Sequence, residues 1–181
     1  MNKKTMYISA LFFAIIIVLA NYTVQFAIND WLTYGALLFP FSFLMMDILS
    51  EKYNKEEVIK VVKIGIILAI IPTIYVSDWR IAFASIGSYF IVQQLNVSIF
   101  SYLKQKYYSL WWLRNNASTL ISQLFDTTIF FLLAFSFIMP FEDIFKLIIG
   151  DYIVKVILTL SDSPLFYLFA IKLRQFTFSK I

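Results

Sequence analysis

Residues Met6–Phe26 read MYISALFFAIIIVLANYTVQF, twenty-one residues without a charge. A helix needs about 20 mostly apolar residues to cross a bilayer core, so this stretch alone predicts a membrane span. It is too long for a secretory leader, and no small-residue cleavage site follows it, so it reads as a retained helix. Five more apolar stretches follow almost end to end: about Trp31–Leu49, Val58–Tyr75, Ile81–Tyr102, Ala117–Met139 and Leu147–Ile171. No interval between them could hold a water-soluble domain. The expectation is an all-α polytopic membrane protein, one domain over residues 1–181, built as a compact bundle of six transmembrane helices.

Composition agrees. The chain is 61% hydrophobic and only 14% charged, with a mean hydropathy of +0.80; a soluble domain is typically about 45–50% apolar and about 25% charged. There is no cysteine and no histidine. Disulfides, thiolate metal sites, cysteine nucleophiles, HExxH zinc sites and serine–histidine catalysis are therefore excluded. No metal or other cofactor is expected. The net charge of +4 does not form a nucleic-acid patch, because the basic residues lie scattered between apolar runs.

Those basic residues orient the chain. With the N-terminus in the cytoplasm, Lys3, Lys4, Lys52, Lys55, Lys60, Lys63, Lys104, Lys106, Arg114, Lys172, Arg174 and Lys180 all fall inside. Only Arg80 and Lys146 fall outside, and Lys155 lies within a span. The positive-inside rule then predicts that both termini are cytoplasmic.

Polar side chains inside the spans are the functional candidates, since a charge at a helix centre costs about 2.5–3.5 kcal/mol on insertion scales. The sixth span carries Asp151, Lys155 and Asp162, with Thr159 on the same face. Asp151 and Lys155 stand one turn apart, as a structural ion pair or as a substrate or ion site. The fifth span has a polar stripe of Thr119, Ser122, Gln123, Asp126 and Thr127. Asp126 has no cation within a turn, and is either paired across helices, protonated, or ligand-binding. Asp47 and Glu51 end the second span, Glu51 reading as an ordinary exposed acid near Lys52 and Lys55. Asn21 and Gln25 share a face of the first span, and Gln93 leads the polar positions of the fourth; interhelical hydrogen bonding explains these as well as ligand contact does. Ala10 and Ala14 are a small-xxx-small pair that would mark a helix contact. Of the aromatics, Phe39, Phe41, Phe43, Tyr89 and Phe90 are deep enough to pack in the core or to stack on a flat ligand, while the four tryptophans fall near the interfaces.

Read together, several pieces resemble one family, the queuosine precursor transporters, also called the vitamin uptake transporters. They are Asn21-Tyr-Thr-Val-Gln25, Phe39-Pro-Phe-Ser-Phe-Leu-Met-Met-Asp47-Ile-Leu-Ser-Glu51-Lys-Tyr53 and Arg80-Ile-Ala-Phe-Ala-Ser85. Then come Trp112-Leu-Arg-Asn-Asn-Ala-Ser118, Gln123-Leu-Phe-Asp126, Ala134-Phe135, Asp151-Tyr-Ile-Val-Lys155 and Asp162-Ser-Pro164. Asn54 stands where the family pattern has a glycine. The resemblance implies uptake of 7-cyano-7-deazaguanine and 7-aminomethyl-7-deazaguanine for salvage in tRNA modification, across a bacterial cytoplasmic (inner) membrane. A deazaguanine edge offers N–H donors to a carboxylate and a carbonyl to an amide or ammonium donor. Asn21, Gln25, Asp47, Gln93, Gln123, Asp126, Asp151, Lys155 and Asp162 are the expected substrate-binding residues. The expected partners are the small deazapurine and the lipid bilayer, with homo-oligomerisation open and no nucleic acid.

Two other readings stand beside this one. A substrate-binding subunit of an energy-coupling-factor vitamin importer would have a similar length and six helices, and would need a separate ATPase. An intramembrane enzyme would need a catalytic constellation, for which two aspartates acting as a protease dyad are the alternative weighed; the absence of histidine and cysteine argues against it. The expectation is a transporter and not an enzyme.

Overall fold

Short polar side chains open the helices that the apolar runs imply. Asn2 accepts the Thr5 N–H (2.7 Å) at the start of α1 (Lys3–Thr23), and Thr33 accepts the Ala36 N–H at the start of α2 (Tyr34–Lys52). Asn54 precedes α3 (Lys55–Val76), with Glu57 reaching back to its backbone N–H. Asp78 caps α4 (Trp79–Lys106) through the Arg80 N–H at 2.9 Å, which holds its carboxyl below the usual range. Each oxygen satisfies a backbone donor that the first turn of a helix leaves over. Two further helices follow, α5 (Trp111–Phe135) and α6 (Phe141–Phe166), the latter carried on by a π-helical turn, Tyr167–Lys172. Asn54 has φ −75° and ψ 152°, so its position needs no left-handed backbone and an asparagine serves there without strain.

The computed structural model describes residues 1–29 and 32–172. Trp31, the expected start of the second span, lies outside the described residues, as do Arg174 and Lys180. Each expected span coincides in the main with one helix, but the first and fifth run past the ends of α1 and α5, the sixth continues into the π-helical turn, and α5 and α6 begin six residues before the apolar runs do. Their first turns hold Arg114 in one case and Glu142 and Asp143 in the other; carboxylates suit a helix N-terminus, so the helix outlasts its hydrophobic section. The α1–α2 connection contains the only strands among the described residues, an antiparallel ribbon of β1 (Ala27–Asn29) and β2 (Leu32–Thr33).

Cross-links between helix ends fix their directions. The Met1 amine bonds Glu57, joining the starts of α1 and α3. Lys104, near the end of α4, donates to the carbonyls of Ser50 (2.8 Å) and Glu51 (2.6 Å) at the end of α2. Arg114, in the first turn of α5, reaches Glu51 as well, and Trp111 stacks on Phe166 at the end of α6. At the opposite end, Gln25 bonds the Val76 carbonyl. The helices therefore alternate in direction, and the lysine- and arginine-rich segments gather at one end.

α4 packs most extensively on α5, α1 on α3, and α5 on α6. The α1–α3 contact is a backbone approach: a Cβ on Gly65 would lie 2.9 Å from the Ala10 carbonyl oxygen and 2.5 Å from the Phe13 ring. Ala10 and Ala14 are both buried in this seam, which is the close approach that small side chains permit.

The polarity of the bundle is inverted relative to a soluble protein. Ile71 and Phe83 are each 67% exposed, whereas Gln93 and Gln123 have no exposed surface. Four helices, α1, α2, α3 and α5, are long and apolar enough to cross a membrane. α4 and α6, at 28 and 26 residues, have the length but are diluted by Gln93, Gln94 and Asn96 and by Asp151, Lys155 and Asp162, almost all turned inward. The outer surface is what lipid chains solvate, and the interior is where the polar groups find partners.

Candidate functional site

The buried polar side chains of α2, α4, α5 and α6 form connected clusters, and Lys155 organises the central one. Its Nζ lies 2.9 Å from Asp151 Oδ2 on the same helix, 3.3 Å from Asp126 Oδ2 across on α5, and 2.8 Å from Thr127 Oγ1. The Thr127 hydroxyl in turn donates a hydrogen bond to Asp151 Oδ2 (3.0 Å). An ammonium has three hydrogens, and these partners take all three. Two carboxyl groups thus share one lysine. Asp151 and Lys155 are paired as their spacing suggested, and Lys155 also bridges to Asp126.

Aromatic rings close one side. Lys155 Nζ sits 5.4 Å above the Phe39 ring, a cation–π contact that supports the charge in a low-dielectric setting. Phe39 and Phe43 lie 5.7 and 6.4 Å from Tyr89. The Tyr89 hydroxyl is 3.3 Å from Ser42 Oγ, which accepts from Gln93 Nε2 at 3.0 Å. Phe41 and Phe90 point outward and belong to the lipid-facing surface. Thus three of the five candidate stacking rings meet at the cluster, brought there because positions 39 and 43 of α2 are one turn apart.

Several atoms here have no hydrogen-bond partner among the described residues. Asp126 Oδ1 and Gln93 Oε1 are free acceptors, and Gln123 Nε2 is a free donor, its Oε1 being taken by Thr159 (3.0 Å). Ser88 on α4 faces Asp126. Leaving one such group unmatched in a dry interior costs about 1–3 kcal/mol. Three such groups on α4 and α5 leave hydrogen-bonding capacity for a polar molecule.

A second cluster surrounds Asp47. It accepts from Asn96 Nδ2 on α4 (2.7 Å), from Thr119 Oγ1 on α5 (2.7 Å) and from Ser118 Oγ at 3.5 Å. A third lies at the basic end. There Glu51, expected to be exposed, is 2% exposed and receives Arg114 Nε at 2.9 Å and Nη2 at 3.1 Å. Its sequence neighbours Lys52 and Lys55 are exposed and do not pair with it; successive helical residues point about 100° apart, so adjacency along the chain is not adjacency in space.

Asn21 is buried but donates to its own helix at the Ile17 carbonyl (2.9 Å), with no side-chain bond to these clusters. Gln25 stands apart altogether. α1 ends at Thr23, so the helical spacing that would put Gln25 beneath Asn21 has run out, and Gln25 is exposed in the following turn. Six of the nine candidate residues (Asp47, Gln93, Gln123, Asp126, Asp151 and Lys155) therefore belong to the buried network, Asp162 is buried on α6, and Gln25 is outside it. Sequence reading passed over Ser42, because a lone serine in a phenylalanine-rich run carries no charge signal. An apolar groove of about 690 Å³ against α1 and α2, lined by Phe12, Leu38, Phe41, Leu165 and Phe169 among others, offers nothing to orient a polar ligand.

A polar interior within an apolar shell suits the carriage of polar cargo through lipid, and comparison with known proteins points the same way. The family model described as "Putative vitamin uptake transporter" matches residues 33–77 and 72–169. A protein of Bacillus subtilis (strain 168) named "Probable queuosine precursor transporter" is 30% identical over 160 residues, covering 75% of this chain and 70% of its own. The "Queuosine precursor transporter" of Escherichia coli (strain K12) is 32% identical over 155 residues, covering 73% of this chain and 69% of its own. No solved structure matches significantly. With most of its length matched by one family model, the chain belongs to the vitamin uptake transporter family, that of the queuosine precursor transporters.

Proposed function

We propose that the protein imports 7-deazaguanine bases, 7-cyano-7-deazaguanine and 7-aminomethyl-7-deazaguanine, across a bacterial cytoplasmic membrane for salvage into tRNA. The chain acts as one membrane domain of six spans, with its basic end and both termini in the cytoplasm. The observation that carries the reading is the set of unmatched atoms beside Lys155. Asp126 Oδ1 and Gln93 Oε1 are acceptors, Gln123 Nε2 is a donor, and a guanine-like edge presents two adjacent N–H donors beside a carbonyl. Phe39 and Tyr89 supply ring faces at the same place, as a flat heterocycle requires. The names of the curated relatives support the substrate class.

Asp126→Asn tests the site. The substitution keeps the size of the side chain but replaces an acceptor with a donor, setting N–H against N–H. Binding of 7-cyano-7-deazaguanine to the purified protein should weaken by about ten- to a hundredfold, the equivalent of about 1–3 kcal/mol. An Asn variant of wild-type abundance that binds with unchanged affinity removes Asp126 from the site.

Orientation is tested separately, using the absence of native cysteine. Cysteines introduced at Gln105, by the basic end, and at Phe137, fully exposed beyond α5, should label from opposite sides of the membrane. In intact cells a membrane-impermeant maleimide should reach only the second. Labelling of the first alone would invert the orientation.

A further inference from the structure

The apolar groove on the lipid-facing surface runs lengthwise along α2. α1 and α6 both pack on α2 and make no extensive contact with each other among the described residues. A strip of α2 is thereby left as the floor of a trough, with α1 as one wall and the end of α6 with its π-helical turn as the other. The floor residues Leu38, Phe41, Met45 and Ile48 recur at steps of three and four, so they share one face of the helix. From Leu38 to Leu49 the floor extends about 16 Å at 1.5 Å per residue. That is close to half of a hydrocarbon core of about 30 Å. The length suits the acyl chains of a single leaflet.

The groove leads to cations. The next step along the floor after Ile48 is Lys52, the last residue of α2, and it is exposed. Each wall also carries an exposed lysine at this same end. Lys4 stands in the first turn of α1, and Lys172 is the last residue of the π-helical turn, three beyond the wall residue Phe169. None of the three makes an ion pair among the described residues. Glu51, the acid next to Lys52 in sequence, is turned inward and held by Arg114. A lysine at a helix end lays its methylenes along apolar surface and carries its ammonium to the level of the lipid headgroups. A trough one leaflet long, bordered at one end by three unpaired ammonium groups, is complementary to a molecule with hydrocarbon chains and an anionic head.

We propose that the groove holds an anionic phospholipid of the leaflet at the basic end, its chains along the α2 floor and its phosphate among Lys4, Lys52 and Lys172. On the orientation proposed above this is the cytoplasmic leaflet; the nature of the cargo does not enter. The apolar lining gives no preference among lipids with the same chains, so selection falls to the lysines. A second copy of the chain fits less well. Two copies in one membrane, related by a two-fold axis along its normal, would bring identical faces together and set the lysines of one against those of the other. A lipid bound here bridges α1 to the end of α6, which otherwise meet mainly through α2, and stabilises the folded bundle by mass action.

The experiment uses the full chain in phosphatidylcholine vesicles containing a rising fraction of lipid brominated in its acyl chains, either phosphatidylglycerol or phosphatidylcholine. The absence of native cysteine allows one fluorophore to be placed at Phe12→Cys, on the groove wall and 57% exposed. The comparison position is Ile67→Cys on α3, 66% exposed, near the exposed Lys60 and Lys63 but no part of the groove. Bromine quenches on contact, so quenching reports which lipid lies beside the label. At Phe12 the brominated phosphatidylglycerol should be preferred by about tenfold or more, and Lys52→Gln should cut that preference about fivefold, the effect of one lysine beside anionic lipid. Replacing Lys4 and Lys172 by Gln as well should abolish it. Met45→Trp, which fills the floor and leaves the lysines, should weaken quenching at Phe12 by either lipid. If that variant fails to fold, the lysine variants, all at exposed positions, carry the test. An equal preference at Ile67 means that anionic lipid gathers wherever lysines stand, and overturns the groove site. So does the lack of any preference at Phe12. Protection of Phe12 from both lipids, with energy transfer between differently labelled copies, places a second copy in the groove and overturns the proposal likewise.

Discussion

Lys155→Met is expected to deplete the folded protein from the membrane, the largest effect of any single substitution in the interior. Lys155 gives its three hydrogens to Asp126, Asp151 and Thr127. Methionine fills the same space and gives none of them, leaving two carboxylates side by side without a cation. Breaking one buried ion pair by removing a partner costs about 3–5 kcal/mol, and here two pairs are lost at once, against a total stability of about 5–15 kcal/mol for an ordinary domain. The measurement is abundance in the membrane together with thermal unfolding in detergent. Neutralising both acids as well, with Asp126→Asn and Asp151→Asn added to Lys155→Met, should bring back much of the folded population but not base binding. A Lys155→Met protein that accumulates and melts like wild type would show that Lys155 does not hold the cluster together.

Arg114→Met should lower the melting temperature almost as severely, through a different contact. The guanidinium reaches both oxygens of Glu51 and lies 5.6 Å from the centre of the Tyr108 ring. It thereby ties the start of α5 to the end of α2. Removing it takes the two-pronged guanidinium from a buried carboxylate, a loss of up to about 3–5 kcal/mol. Arg114→Lys should recover only part of the loss, since an ammonium cannot make the two-pronged contact of a guanidinium. Combining Arg114→Met with Glu51→Gln should recover more. A melting temperature unchanged by Arg114→Met would mean that the pair contributes nothing to holding these helices.

How much of this could be read from the chain depends on the range of each interaction. The helices were legible because a span is a local property: enough consecutive apolar residues, whatever they pack against. Asp151 and Lys155 were legible as partners because one turn of a single helix joins them. Lys155 with Asp126, Asp47 with Asn96 and Glu51 with Arg114 are joined only by helix packing, and the sequence carries no distance between them. Glu51 was misjudged for a related reason, its lysine neighbours being turned to solvent while it turns inward. Gln25 was misjudged because a spacing argument holds only while the helix lasts. The ends of α5 and α6 were set too short, since hydropathy marks where lipid begins and not where the helix does.

The second carboxyl group in the Lys155 cluster bears on what a cell would lose through such a protein. GMP and GTP present the same hydrogen-bonding edge as the free base, and they are abundant on the inner side. Each also carries phosphate, which would meet two carboxyl groups, Asp126 and Asp151, and a lysine with no hydrogen left to offer. Like charges in a poorly solvated space repel strongly. On the function proposed above, a carrier arranged this way would admit a bare nucleobase while the nucleotide pool stays behind it.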